Sequence, residues 1–249
     1  GPKKGPSWGG QAAQVAVEEP TAEALAHHYR SERIQQDRID YLASIALLDA
    51  EAGRVLDALD TKGISENTLV IFCSDHGDML GDHQLLAKGA YFYEPSVRVP
   101  LLLRWPNRIE AGSVSNQPVQ LHDLSATILA ASGLGPELVP GMMPDSIDLL
   151  STEVADRAYS VCVYHGTGIC DTGKYFDPPI FGAMLCDADY KLIVYFEDSR
   201  LDEIVEGQLF DLNQDPDERA NLWDKGAHRA LQNRMTGDLL DWYVRFTPN

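Results

Sequence analysis

A chain of 249 residues, 44% hydrophobic and 23% charged, can bury one large core or a medium core with a smaller companion. Its 38 acidic residues against 20 basic ones give a net charge of −18, which argues against the basic footprint of nucleic-acid binding. No apolar run approaches the ~18 residues of a membrane span, so a membrane partner is not expected either. The opening stretch, Gly1 to Gly10, lacks the apolar segment of a secretory signal and reads as a loop, a processing scar or the interior of a longer protein.

From Thr21 to about Lys62 the pattern is helical, with Tyr41, Leu42, Ile45, Leu48, Ala52, Val55, Leu56 and Leu59 forming one apolar stripe. Gly63 is a helix stop. Thr68 to Cys73 is a β-branched run bounded by polar residues, the pattern of a buried parallel strand, and Val99 to Trp105 makes a second strand. Leu121 to Ser132 is helical. The Gly/Pro-rich passage from Gly133 to Pro144 is the candidate domain boundary, dividing an α/β unit (residues 1–145) from a second unit (146–249).

Beyond that passage, Ala158 to Tyr164, Phe181 to Cys186, Tyr190 to Phe196 and Gln208 to Asp211 read as short strands, the middle two forming a hairpin through Asp187-Ala188-Asp189. An amphipathic helix from Ala227 to Phe246 closes the chain. The expected fold class is α/β, followed by a small antiparallel sheet with a covering helix. Asp187 to Asp224 holds twelve acids and three bases, so an anionic substrate would need local capture by a metal or a fixed cation.

The four cysteines form no C-x-x-C zinc pattern. Cys73 and Cys186 lie in apolar runs and read as buried free thiols, whereas Cys162 and Cys170 flank a glycine-containing turn and could pair. No N-x-S/T sequon is present, which argues against a glycosylated secretory protein. The compartment and a homo-oligomeric state both stay open.

The stretch that carries chemistry is Ser74-Asp75-His76-Gly77-Asp78-Met79-Leu80-Gly81-Asp82-His83, with Lys88-Gly89 after it. Three carboxylates and two imidazoles follow the end of a strand, where ligands of α/β sheets sit. A divalent cation would satisfy them; so would a solvated polar turn with Asx caps. By residue type alone, Lys88 reads as a surface lysine and Arg98 as a salt-bridge partner.

The run S-D-H-G-D-M-L-G-D-H-x-L-x-x-K-G, continuing through Tyr93-Glu94, Ser96 and Arg98-Val99-Pro100-Leu101, closely resembles the signature of the sulfatase family in the alkaline phosphatase superfamily. Three more stretches match in order: Leu47 to Leu56, His122 to Leu129, and Leu209 to Leu222. The resemblance implies part of an alkaline-phosphatase-like α/β/α sandwich and a metal-dependent hydrolase of sulfuric esters, on the branch similar to arylsulfatases and phosphonate monoester hydrolases. It implies that Asp75 and His76 ligate a divalent metal, with Ca2+ ahead of Mn2+ or Mg2+. It further implies that Lys88 is catalytic, contacting the transferred sulfate or phosphonate oxygens, and that His83 reaches the substrate.

All these motifs belong to the second half of that family. The family's nucleophile is a formylglycine made in a Cys/Ser-x-Pro/Ala-x-Arg motif, and none of Cys73, Cys162, Cys170 or Cys186 stands in one. His27 and His28, at the opening of the long helix, read as surface residues. The expectation is an enzyme whose amino-terminal half is a required partner, with no turnover from these 249 residues alone. A phosphonate or phosphodiester hydrolase of the same fold, and a non-catalytic fragment or binding subunit, are the alternatives.

Overall fold

The computed structural model describes residues 31–86, 88–134, 143–151, 157–166, 179–198 and 203–246. His27, His28, Cys170 and most of the Gly133–Pro144 passage lie outside the described residues. The long helix α1 spans Ser31–Thr61. It ends where Gly63 takes a left-handed φ of 66° and donates its N–H to Asp60 O at 3.0 Å.

Strand β1 (Val70–Cys73) pairs antiparallel with β2 (Leu101–Arg104), Cys73 opposite Leu101. This corrects the expectation of a buried parallel strand. The described residues between the two strands hold only a 3-10 turn and the one-turn helix α2 (Glu94–Val97), with no full helix of the kind that usually crosses over in a parallel pair. Their faces are open as well: Phe72 is 39% exposed and Leu102 60%. Cys73, expected to be buried, is an exposed free thiol for the same reason. Cys186 is free but only half-buried, short of the full burial expected, and desolvation pushes its thiol up to about 11. Cys162 is free and half-buried.

Helix α3 spans Asp123–Ala131. Four strands then form an antiparallel meander: β3 (Ser160–Gly166), β4 (Ile180–Cys186), β5 (Tyr190–Phe196) and β6 (Ile204–Asp211), adjacent in that order. The expected hairpin is present, with Asp187 Oδ1 accepting the Asp189 and Tyr190 N–H groups at 3.0 and 2.7 Å.

Helix α4 (Arg229–Phe246) covers one face of this sheet. Its Met235, Leu239 and Tyr243, spaced by four residues, pack on Ala183, Leu185, Leu192, Val194, Phe196 and Leu209. Each fully buried Met or Leu contributes about 1.5–3 kcal/mol by removal from water. The opposite face carries Met184, Ile193, Tyr195 and Phe210. It is covered by Met79, Leu85 and the run Ala90 to Tyr93 from the loop between β1 and α2. Burial on both faces explains why β4 and β5 read as unbroken apolar runs. No described helix is long and apolar enough to cross a membrane.

Lys191 of β5 points into the second core and is 0% exposed. Its Nζ donates to Phe92 O at 3.1 Å and Glu94 Oε1 at 2.5 Å, and meets Glu218 Oε1 at 2.7 Å. Glu218, itself 1% exposed at the side chain, also accepts the Glu94 N–H through Oε2 at 2.6 Å. Burial raises the Glu218 carboxyl, and the Lys191 charge opposes that rise. Replacing Lys191 with Met leaves two inward carboxylates without their cation, and the expected loss in urea unfolding is about 3–5 kcal/mol. Adding Glu218→Gln to that variant removes one stranded charge and should recover part of the loss.

Candidate functional site

β1 ends at Cys73 and delivers Ser74, Asp75 and His76 to the mouth of a cleft. The turn is held by Ser74 Oγ donating to His76 O at 2.7 Å and by Gly77 N donating to Ser96 O at 2.8 Å. Position 77 admits only glycine, because a Cβ there would lie 1.9 Å from the Pro95 carbonyl oxygen. That close approach brings α2 against the ligand turn.

His76 Nδ1 lies 2.7 Å from Gly77 O, which makes Nδ1 the protonated nitrogen and leaves Nε2 the acceptor. Nε2 is 3.4 Å from Asp75 Oδ2 and 2.5 Å from Lys88 Nζ. Asp75 is 84% exposed at the side chain and His76 36%, so both donors open to the cleft. The His76 N–H donates to Asp75 Oδ1 at 3.0 Å and, chiefly for that reason, holds this carboxyl below its ordinary range. An ionised carboxylate and an unprotonated imidazole nitrogen are the forms a cation needs.

The pair fits a divalent cation in donor type and spacing. Ligands at ~2.0–2.6 Å from a metal and about a right angle apart stand ~3–3.5 Å from each other. The Lys88 ammonium occupies the same lone pair and supplies positive charge there. No third His, Cys, Asp or Glu joins the two among the described residues.

Asp75, His76 and Lys88 line one open cleft of about 1510 Å³ together with Arg98, His122 and Tyr164. His83 is not among the cleft-lining residues. Its ring stacks on Tyr93 with centroids 3.9 Å apart and planes 9° from parallel, on a left-handed backbone of φ 52°. Asp82 turns away from the cleft to pair with Arg38 Nη2 at 2.8 Å, and Arg38 Nε donates to Leu80 O at 2.7 Å, pinning the loop to α1. Arg98 pairs with Glu94 Oε2 at 3.6 Å, as residue type suggested.

Sequence reading passed over a second polar network at the cleft. Asp123, 0% exposed, is held by Arg157 through two contacts of 2.6 and 2.8 Å and accepts the N–H groups of Gln120 and Ile147. Gln120 Oε1 accepts the Val161 N–H at 2.7 Å, which caps part of the open edge of β3. His122 Nε2 stands 3.1 Å from Asp145 Oδ2. His122 and Asp123 open a stretch that resembles the family, but no role was assigned to them there; Asp145 and Arg157 come from distant loops.

Burial depresses the His83 imidazole below its ordinary value of 6.5, against an opposing pull from Asp82. The unfolded chain therefore takes up a proton below about pH 6.5 that the folded chain does not. Stability from this residue is complete above that pH and falls as pH drops through 6.5 toward the folded value. His83→Asn, which tolerates the left-handed backbone, should flatten that component when urea midpoints are compared between about pH 7.5 and 5.5.

The sulfatase family profile matches residues 9–134, and the profile described as N-sulphoglucosamine sulphohydrolase, C-terminal, matches residues 81–244. The chain is 28% identical to the N-acetylglucosamine-6-O-sulfatase of Bacteroides thetaiotaomicron over 92% of its own length and 39% of that protein's. It is 32% identical to arylsulfatase K of Danio rerio over 78% of its own length and 35% of that protein's. Among solved structures, the phosphonate monoester hydrolase of Agrobacterium radiobacter superposes with a TM-score of 0.68 at 25% identity, over 87% of this chain and 43% of that one. The chain thus spans between a third and a half of the length of these relatives.

Proposed function

The chain belongs to the sulfatase family, with an alkaline-phosphatase-like fold, and on that footing we propose that it carries the cation- and anion-holding part of a metal-dependent sulfuric ester hydrolase. The observation that carries this reading is the convergence of Asp75 Oδ2, His76 Nε2 and Lys88 Nζ at one point of one cleft. Asp75 and His76 would hold a divalent cation, Ca2+ first, which supplies positive charge to the ester oxygens when bound. The Lys88 ammonium, which now lies against His76 Nε2, would be the fixed cation that contacts the sulfate oxygens. There it stabilises the negative charge that grows as the ester bond breaks. His83 acts through Tyr93, bracing the ligand loop against the sheet.

Two ligands make a weak metal site, and the remaining ligands and the formylglycine nucleophile are assigned to an amino-terminal half. Two features support a missing neighbour. The cleft's 1510 Å³ exceeds the ~300–1,000 Å³ of pockets that enclose one small ligand. The apolar stripe of α1 is also bare, with Leu42 63%, Ile45 47%, Leu48 55% and Val55 62% exposed. A phosphonate monoester hydrolase is the second reading, favoured by the structural likeness to the Agrobacterium enzyme.

The test is an ester panel on the protein carrying both halves. Aryl sulfates should turn over faster than aryl phosphonates, chelation should abolish turnover, and Lys88→Ala should lower kcat by about 10²–10³. Faster phosphonate hydrolysis would favour the second reading, and no turnover of either ester would leave a binding subunit. The docking of the halves is tested separately with Leu42→Lys and Leu48→Lys. These changes should lower the melting temperature of the two-half protein and leave the 249-residue chain unharmed; equal effects on both would show that the stripe faces water in each.

A further inference from the structure

Glu218 places a buried carboxylate on a backbone that long side chains avoid. Its φ of 54° lies in the left-handed region, and its side chain is 1% exposed. Such a combination persists only where the surroundings fix both the turn and the charge. The turn is fixed by its own hydrogen bonds: the Asp215 N–H donates to Asp211 O at 2.7 Å, the Glu218 N–H to Asp215 O at 3.0 Å, and the Ala220 N–H to Asp215 Oδ2 at 2.7 Å. The carboxylate then has two tasks. Oε1 pairs with Lys191 Nζ at 2.7 Å, and Oε2 accepts the Glu94 N–H at 2.6 Å.

Neutralising Lys191 does not require the second contact, because Glu94 already pairs with that ammonium at 2.5 Å. The second contact serves α2 instead. Glu94 is its first residue, and Tyr93 before it makes no side-chain capping bond, so Glu218 caps the helix from 124 residues away. Beyond the cap, Ser96 O accepts the Gly77 N–H at 2.8 Å, and Gly77 O accepts the His76 Nδ1 proton at 2.7 Å. The Pro95 carbonyl leaves position 77 no room for a Cβ, which keeps α2 and the turn in close contact. We propose that Glu218 is a positioning residue, holding α2 so that Gly77 fixes the rotation of the His76 ring and the direction of Nε2. The placement of the turn stands on these contacts alone; its consequence for cation affinity rests on the cation-holding reading of Asp75 and His76.

Glu218→Gln keeps the size and can serve one contact but not both, since its NH2 group must face either the Lys191 ammonium or the Glu94 N–H. Glu218→Asp keeps the charge and shortens the reach. The protein carrying both halves is compared with these variants by hydrogen exchange of residues 74–80 without metal, and by Mn2+ affinity. Leu239→Ala is the control, because it loses packing in the core on the other face of the sheet and touches none of these groups. Under conditions where all variants are folded, both Glu218 variants should exchange about tenfold faster and bind Mn2+ about tenfold more weakly. Leu239→Ala, with an equal or lower urea midpoint, should match the unaltered protein in both. Exchange at the unaltered rate in both Glu218 variants overturns the proposal. An equal gain in Leu239→Ala would mean general loosening and overturns it as well. Faster exchange with Mn2+ affinity unchanged overturns it where Asp75→Asn weakens Mn2+ binding. Where Asp75→Asn does not, the cation-holding reading falls and the placement of the turn by Glu218 stands, so the two failures are told apart.

Discussion

Much of the described architecture depends on one buried ammonium group. Lys191 lies in the middle of the sheet, fully out of water, and reaches the main chain at Phe92, Glu94 of α2, and Glu218 of the turn after β6. The ammonium donates to a carbonyl and to the Glu94 carboxylate, and the Glu218 carboxylate pairs with it at 2.7 Å. A charge in such a place is costly unless its partners are held at contact distance, so the triad constrains three separate segments at once. Apolar packing of Tyr91, Phe92 and Tyr93 on the sheet supplies the driving force. The triad supplies the register, since the apolar face alone would tolerate sliding.

That constraint reaches the ligand turn through α2. Glu94 opens α2, and two residues later Ser96 receives the Gly77 N–H. Pro95 O sits where any side chain at position 77 would be. A lysine buried in the carboxyl-terminal sheet therefore helps to set where the Asp75 and His76 donors stand. Arg38 performs the corresponding task from the other side, holding Asp82 and Leu80 to α1. Among its described residues the loop from Ser74 to Tyr93 has no regular structure beyond a three-residue 3-10 turn at Asp82–Gln84, and it is gripped from both ends instead.

The carboxyl-terminal sheet was legible because local signals suffice there. Asp187-Ala188-Asp189 between two apolar runs is hairpin chemistry, and Met235, Leu239 and Tyr243 repeat at helical spacing. The β1–β2 pair was misread because a short apolar run looks the same in a buried parallel strand as in an uncovered antiparallel one. Asp75, His76 and Lys88 were legible as a set only through the family resemblance, and the structure brings them into contact. Glu94 and Glu218 were both inside matched stretches but carried no assignment, since their shared partner Lys191 lies far away in sequence. His122 and Asp145 escaped for the same reason: 23 residues of separation hide a contact of 3.1 Å.

The charge arrangement ties the cleft to the reading of its function. The chain carries a net −18, which repels an approaching anion overall. At the convergence point the Asp75 carboxylate and the Lys88 ammonium cancel, and the His76 tautomer is neutral. As it stands that point gives an anion no net attraction. In the proposed function, a divalent cation held by Asp75 and His76 would reverse this by adding two positive charges at that point. On that proposal the cation would supply the field that attracts the anion, and the chain's excess of acid, which repels an anion, favours a cation.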